Sequence, residues 1–199
     1  MADGNAVTDT ALREEVRAWL AANWKPLPRP QPGPGGAGWT VSPEHKAWLE
    51  QVVDARWAVP RWPTDWYGRG LSDAQGRIVE REFAAIGAPG TGQDRTNLWA
   101  NTALAYASPT FKAKIVPALL KSQVGMCLLY SEPGAGSDLA GIRTRADRQG
   151  DHFVVNGQKV WTSGAATADF GMLIARTDWD VPKHRGISFF FCPMKQPGV

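Results

Sequence analysis

Strongly one-signed charge is missing from this sequence. No run of five like charges occurs, and 22 Lys and Arg stand against 19 Asp and Glu, a net charge of +3. A nucleic-acid-binding tail is therefore not expected, because polyanion binding needs clustered cations and not a small diffuse surplus. Cysteine is scarce as well. Cys127 and Cys192 stand alone inside apolar stretches, so there is no CxxC pair for a metal or a redox couple. Two buried free thiols in a reducing cytoplasm, and no metal site, are the expectation. No apolar run approaches membrane-spanning length, so no membrane span is expected. The start, Met1-Ala2-Asp3-Gly4, lacks a basic region followed by an apolar stretch, so no secretory signal is expected and the location is read as cytoplasmic.

What is present changes character near Ser122. Before it the apolar residues keep helical spacing. Leu12, Val16, Trp19 and Leu20 fall on one helix face. Pro26 to Gly38 is rich in Pro and Gly and reads as a loop. Ser42-Pro43 reads as a cap and first turn ahead of Trp48, Leu49, Val52, Val53 and Trp57, with Pro60 and Pro63 breaking that helix. Ser72 and Gln75 have the spacing of a capping box ahead of Val79, Phe83 and Ile86, and Gly87-Ala88-Pro89 ends the run. Further helices are predicted over Leu98–Tyr106 and from Ser108-Pro109, with Pro117 restarting or kinking the latter. Most of the ten tryptophans fall at core spacing or in the stretch from Trp57 to Trp66, and core packing accounts for them.

After Ser122 the pattern is that of strands. Gly125–Tyr130 is a short apolar run, and Ile142–Asp147 alternates. Gln149-Gly150-Asp151 reads as a turn. His152–Val155 and Gln158–Trp161 flank Asn156-Gly157, which predicts a hairpin at that dipeptide. Phe170–Arg176 and Gly186–Cys192 complete the set. Helices followed by strands predict an α+β chain: an all-α helical domain over 1–122, then part of an antiparallel β domain over 123–199.

Two segments carry chemistry. Ser131-Glu132-Pro133-Gly134-Ala135-Gly136-Ser137-Asp138 follows a strand. Gly134 and Gly136 let main-chain N–H groups approach a ligand, and Ser131 and Ser137 add hydroxyls, which suits an anion or the polar edge of a heterocycle. No Gly-Lys-Ser/Thr follows, and the glycine spacing is not that of a dinucleotide fingerprint. In Asn156-Gly157-Gln158-Lys159-Val160-Trp161-Thr162-Ser163-Gly164, an indole and two hydroxyls come together. Trp161 could pack on a planar ring with Thr162 and Ser163 bonding its polar edge, although a lone tryptophan is more often core.

Together the two segments resemble the acyl-CoA dehydrogenase family. Its signature Ser/Thr-Glu-Pro-x-x-Gly-Ser-Asp is matched by Ser131 through Asp138, and its Asn-Gly-x-Lys-x-Trp element by Asn156 to Ser163. The helical half, including Lys114-Ile115-Val116-Pro117-Ala118-Leu119-Leu120, agrees more weakly. The resemblance implies noncovalent FAD and an acyl-CoA thioester substrate. Main-chain and side-chain groups of Leu129, Tyr130, Ser131, Gly136, Ser137, Trp161, Thr162 and Ser163 would contact FAD, and Ser137 would also reach the acyl-CoA. Electrons would pass to an electron-transfer flavoprotein or, in an oxidase, to oxygen, and the complete protein would be oligomeric. In the family a glutamate removes the α-proton while the β-hydride passes to the flavin. That glutamate usually lies in a C-terminal helical domain, which this sequence is expected not to reach. Glu132 is read as a carboxylate that holds its loop, so no catalytic residue is assigned and the chain alone is expected to be inactive. A non-catalytic binding subunit, completed by a partner in a heteromeric complex, is the alternative. Leu129 and Tyr130 stand where the family has a small and then an aliphatic residue, and Thr162 where an aliphatic one is usual. These departures suggest a divergent subgroup, with bulky acyl groups such as steroid side chains among its candidate substrates.

Overall fold

A computed structural model describes residues 8–28, 31–32 and 39–199. Most of the Pro26–Gly38 stretch, read above as a loop, lies outside the described residues; the exceptions are 26–28 and the two-residue strand β1, Gln31–Pro32. A second two-residue strand, β2, covers Trp39–Thr40. Two compact units are distinguished, one built from the helices through Gln123 and one from the strands from Val124 onward.

The helices begin where their caps lie. Helix α1 (Asp9–Asn23) starts at Thr8, whose hydroxyl accepts Ala11 N, and buries Leu12, Val16 and Leu20. Helix α2 (Pro43–Asp54) is capped by Ser42, and α3 (Asp73–Ala85) by the reciprocal Ser72–Gln75 box. Helices α4 (Gln93–Thr96), α5 (Leu98–Tyr106) and α6 (Pro109–Leu120) follow. Trp19 stacks on Phe83 and tilts against Trp48, while Val52, Val53 and Val79 are fully enclosed. Each enclosed aliphatic or aromatic side chain contributes about 1.5–3 kcal/mol. Two expectations change. Helix α2 stops at Asp54, well before Pro60, because the chain turns through a left-handed Arg56 (φ 64°). Helix α6 continues through Pro117, which removes one ladder bond without ending the helix, so the helix is not restarted there.

The α+β class holds, but the sheet is mixed and not wholly antiparallel. Its centre is β6 (Phe170–Arg176), buried along nearly its whole length. Strand β7 (Ile187–Pro193) runs antiparallel beside it, from Phe170↔Pro193 to Arg176↔Ile187. On the other side β3 (Met126–Leu129) lies parallel to β6, and β4 (Arg145–Gln149) meets the end of β6 in parallel at Arg145↔Arg176. Strand β5 (His152–Asn156) pairs antiparallel with β4. Parallel pairing here follows from burial: β6 is apolar on both faces, with Leu173 and Ala175 in one cluster and Ile174 in another.

Two strand expectations are corrected. Ile142 to Thr144 precede β4 and are not part of it. The hairpin turn sits at Gly150 (φ 64°), joining β4 to β5, and not at Asn156-Gly157. The Asn-Gly turn needs positive φ, and neither residue has it. Gly157 serves close approach instead: a Cβ there would run into the Thr144 side chain.

Candidate functional site

The first motif leaves the buried end of β3. Leu129 points its side chain into the core beside Cys127, Ala146, Leu173 and Ala175, so its main chain alone can meet a ligand. Tyr130 is half-buried against Ile142 and Ile174, and burial pushes its phenol above the ordinary value. Glu132 and Ala135 exchange main-chain hydrogen bonds of 2.8 and 3.1 Å, which closes a tight loop over Pro133-Gly134. Gly134, Gly136 and Ser137 face solvent, and a Cβ at either glycine would meet nothing. Asp138 ends the motif in an ion pair with Lys183 of the β6–β7 connection.

The second motif is laced onto the first. Val160 N donates to Ser131 O at 2.9 Å, and Lys159 Nζ donates to Tyr130 O at 3.1 Å and to Glu132 Oε1 at 2.8 Å. Glu132 also accepts Thr144 N (2.9 Å) and Arg143 N (2.7 Å), so both its oxygens are engaged. Burial alone would raise this carboxyl. Hydrogen bonds led by Lys159, then Thr144 and Arg143, overcome that and hold it at about 2. The Thr144 hydroxyl lies near enough to favour the charged carboxylate but makes no hydrogen bond of good geometry among the described residues. Burial lowers the Lys159 ammonium, and Glu132 opposes that shift. A carboxylate held well below the ordinary range by three hydrogen bonds is a poor proton acceptor at neutral pH.

Past this clamp the backbone turns left-handed at Trp161 (φ 59°), and the indole is 90% exposed. Ser163 N donates back to Trp161 O at 3.1 Å. The hydroxyls of Ser131, Ser137, Thr162 and Ser163 have no partner among the described residues. Ser131 is therefore tied directly to Val160, the residue before Trp161, whereas Ser137 lies at the other end of its loop, next to Asp138. Sequence reasoning quoted Lys159 in its motif without giving it a task, and a Lys beside an apolar Val-Trp pair was the available signal. It also passed over Arg176. This residue is 5% exposed, and its guanidinium donates to the carbonyls of Ala140, Ile142 and Lys183. Arg176, Arg143, Lys183 and Trp179 line a cavity of about 270 Å³. No cluster of metal-binding side chains occurs among the described residues.

The family model for the acyl-CoA dehydrogenase middle domain matches residues 127–199, the segment that holds both motifs. Acyl-CoA dehydrogenase IpdE1 of Mycobacterium tuberculosis is 37% identical over 195 residues, covering 94% of this chain and 50% of that one.

The chain belongs to the acyl-CoA dehydrogenase family.

Among solved structures, it is similar to the Tcur3481–Tcur3483 steroid ACAD, with a TM-score of 0.64 and 31% identity over all of this chain and 50% of that one. The ChsE4–ChsE5 complex from Mycobacterium tuberculosis matches with a TM-score of 0.62 and 32% identity, over 98% and 49%. The chain thus spans about half the length of these relatives. Acyl-CoA dehydrogenases are flavin oxidoreductases, and the two motifs here offer groups that suit a flat ring with a polar edge: an uncovered indole, and hydroxyls without a partner among the described residues. No described helix is long and apolar enough to cross a membrane.

Proposed function

We propose that this chain supplies the helical domain (1–122) and part of the middle β domain (123–199) of an FAD-dependent acyl-CoA dehydrogenase, and that it forms one wall of the flavin site. The observation that carries this reading is the direct lacing of the two motifs, Val160 N to Ser131 O, with a nearly bare indole on the residue that follows Val160. Tyr130 and Ser131, with the main chain of Leu129, bond the polar edge of the ring. Trp161 covers a ring face and excludes water from it, and Thr162 and Ser163 orient it. Gly136 allows close approach, and Ser137 donates to the pyrophosphate or to the thioester chain. When bound, FAD supplies the electron sink for α,β-dehydrogenation.

The phosphates of CoA have a match in the cavity lined by Arg143, Arg176 and Lys183, where Trp179 adds a flat apolar wall. Glu132 is engaged in its clamp, so the α-proton needs a base from beyond these residues. The chain alone neither retains FAD firmly nor oxidises acyl-CoA. The likeness to the ChsE4–ChsE5 complex favours a second reading, in which a partner polypeptide completes the site. The likeness to a steroid dehydrogenase favours a bulky, steroid-derived acyl group. An electron-transfer flavoprotein is the proposed acceptor and the cytoplasm the proposed location. The test is to purify the 199-residue chain, record its flavin absorbance, and assay acyl-CoA-dependent dye reduction with FAD added. The expected result is weak flavin binding without turnover. Turnover by the chain itself would overturn the assignment of the base.

A further inference from the structure

We propose that Lys159 is a positioning residue, whose bridge from Glu132 to the Tyr130 carbonyl fixes the direction in which the Trp161 indole is presented. The inference rests on the flavin-wall reading for its purpose, but its geometry stands independently. An indole that is 90% exposed has little packing to aim it. Its direction is set by the backbone, and that backbone is left-handed at a bulky residue. Such a conformation persists only where the surroundings over-determine it.

The surroundings that do so can be named. Ahead of Trp161, Lys159 and Val160 are tied at consecutive positions to Tyr130, Ser131 and Glu132. Behind it, Ser163 N bonds Trp161 O and Ala165 N bonds Thr162 O. Of these ties one runs through a side chain, and that side chain is sealed: Lys159 is 8% exposed and Glu132 7%. Water therefore cannot readily replace the bond if it is removed. Glu132 in turn is held by Arg143 N and Thr144 N at the entry to β4, so Lys159 transmits the position of the sheet to the Trp161 turn. Lys159 would touch no ligand itself.

The test follows Trp161 by fluorine NMR in the full chain labelled with 5-fluorotryptophan, its signal assigned by Trp161→Phe among the ten tryptophans. Lys159→Met leaves a buried carboxylate without its cation and is expected to destabilise the chain strongly. The neutral pair Glu132→Gln with Lys159→Met removes that penalty and keeps the experiment decisive if the single variant fails to fold. The expected result is that the neutral pair recovers most of the lost thermal stability while the Trp161 signal stays shifted or broadened and the other tryptophan signals hold their places. A Trp161 signal unmoved in the folded neutral pair would overturn the proposal, and so would a shift of all the signals together, which would report general loosening. The measurement needs no FAD. In the assembled enzyme, where the flavin site is complete, failure of FAD to perturb the Trp161 signal would count against the flavin reading and leave the positioning result intact.

Discussion

The Lys159 ammonium lies 2.8 Å from a Glu132 carboxylate oxygen 27 residues earlier, with both side chains closed off from water. This pair joins the two segments that carry the family's chemistry. It also gives a stability signature, because a clamp of this kind has a pH dependence that surface pairs lack.

Glu132 is held at about 2 when folded, below the value of an unfolded glutamate. A depressed acid stabilises the fold above its unfolded value, and that contribution is lost as pH falls through the folded one. At neutral pH it amounts to about 3 kcal/mol, partly offset by the cost of burying Lys159. Urea midpoints of the chain and of Glu132→Gln should differ most near neutral pH, draw together as pH falls below the unfolded glutamate value, and converge only toward about pH 2. A gap that stays constant over that range would show that the carboxylate is not clamped.

Gly157 and Gly134 should respond oppositely to alanine. At Gly157 the added Cβ meets the Thr144 side chain, and overpacking of this kind costs about 1–3 kcal/mol. At Gly134 the Cβ meets nothing and φ is not positive, so denaturant unfolding should be nearly unchanged. Ligand titration completes the comparison. If the Gly134 loop meets FAD or a thioester by its main chain, Gly134→Ala should weaken binding in the assembled enzyme while leaving its stability alone.

Trp161 should separate stability from binding in the other direction. Its indole contributes little burial, and its left-handed backbone favours glycine. Trp161→Gly should therefore leave the chain as stable or stabilise it by up to about 1 kcal/mol. The same substitution should abolish flavin binding, read by flavin fluorescence in the assembled enzyme. A large loss of thermal stability would mean that the indole is packed in solution.

The Arg176 cavity allows a fourth check. Arg176→Met strips the buried Ile142 carbonyl and the part-buried carbonyls of Ala140 and Lys183 of a donor and should cost about 1–3 kcal/mol. Lys183→Ala gives up only an exposed pair with Asp138, whose loss should change stability by less than about 1 kcal/mol. Salt-dependent acyl-CoA affinity should fall with Lys183→Ala if the cavity takes phosphates. Unchanged affinity at low salt would remove the cavity from the substrate site.

The sequence by itself settled where the capped helices begin. Helix starts at Thr8, Ser42, Ser72 and Ser108 are decided within four residues, because a cap hydroxyl bonds an N–H in the turn it begins. The motif residues and the family were also legible there, since both rest on residue identity at fixed spacing. Tertiary structure decided what joins across distance. Asn156-Gly157 has the residues of a hairpin turn, yet Thr144 occupies the space beside Gly157 and Glu132 draws Lys159 toward β3, so the chain crosses to another strand instead. The parallel pairing of β3 with β6 was hidden for the same reason. It brings together residues more than 40 positions apart, such as Met126 and Phe170, and no local pattern encodes which distant strand will bury an apolar face. Nor could spacing show that Leu129 turns inward while Trp161 stands bare. Exposure depends on what packs from elsewhere in the chain, and for these two residues that was fixed only when the sheet closed over one and the clamp held the other outside it.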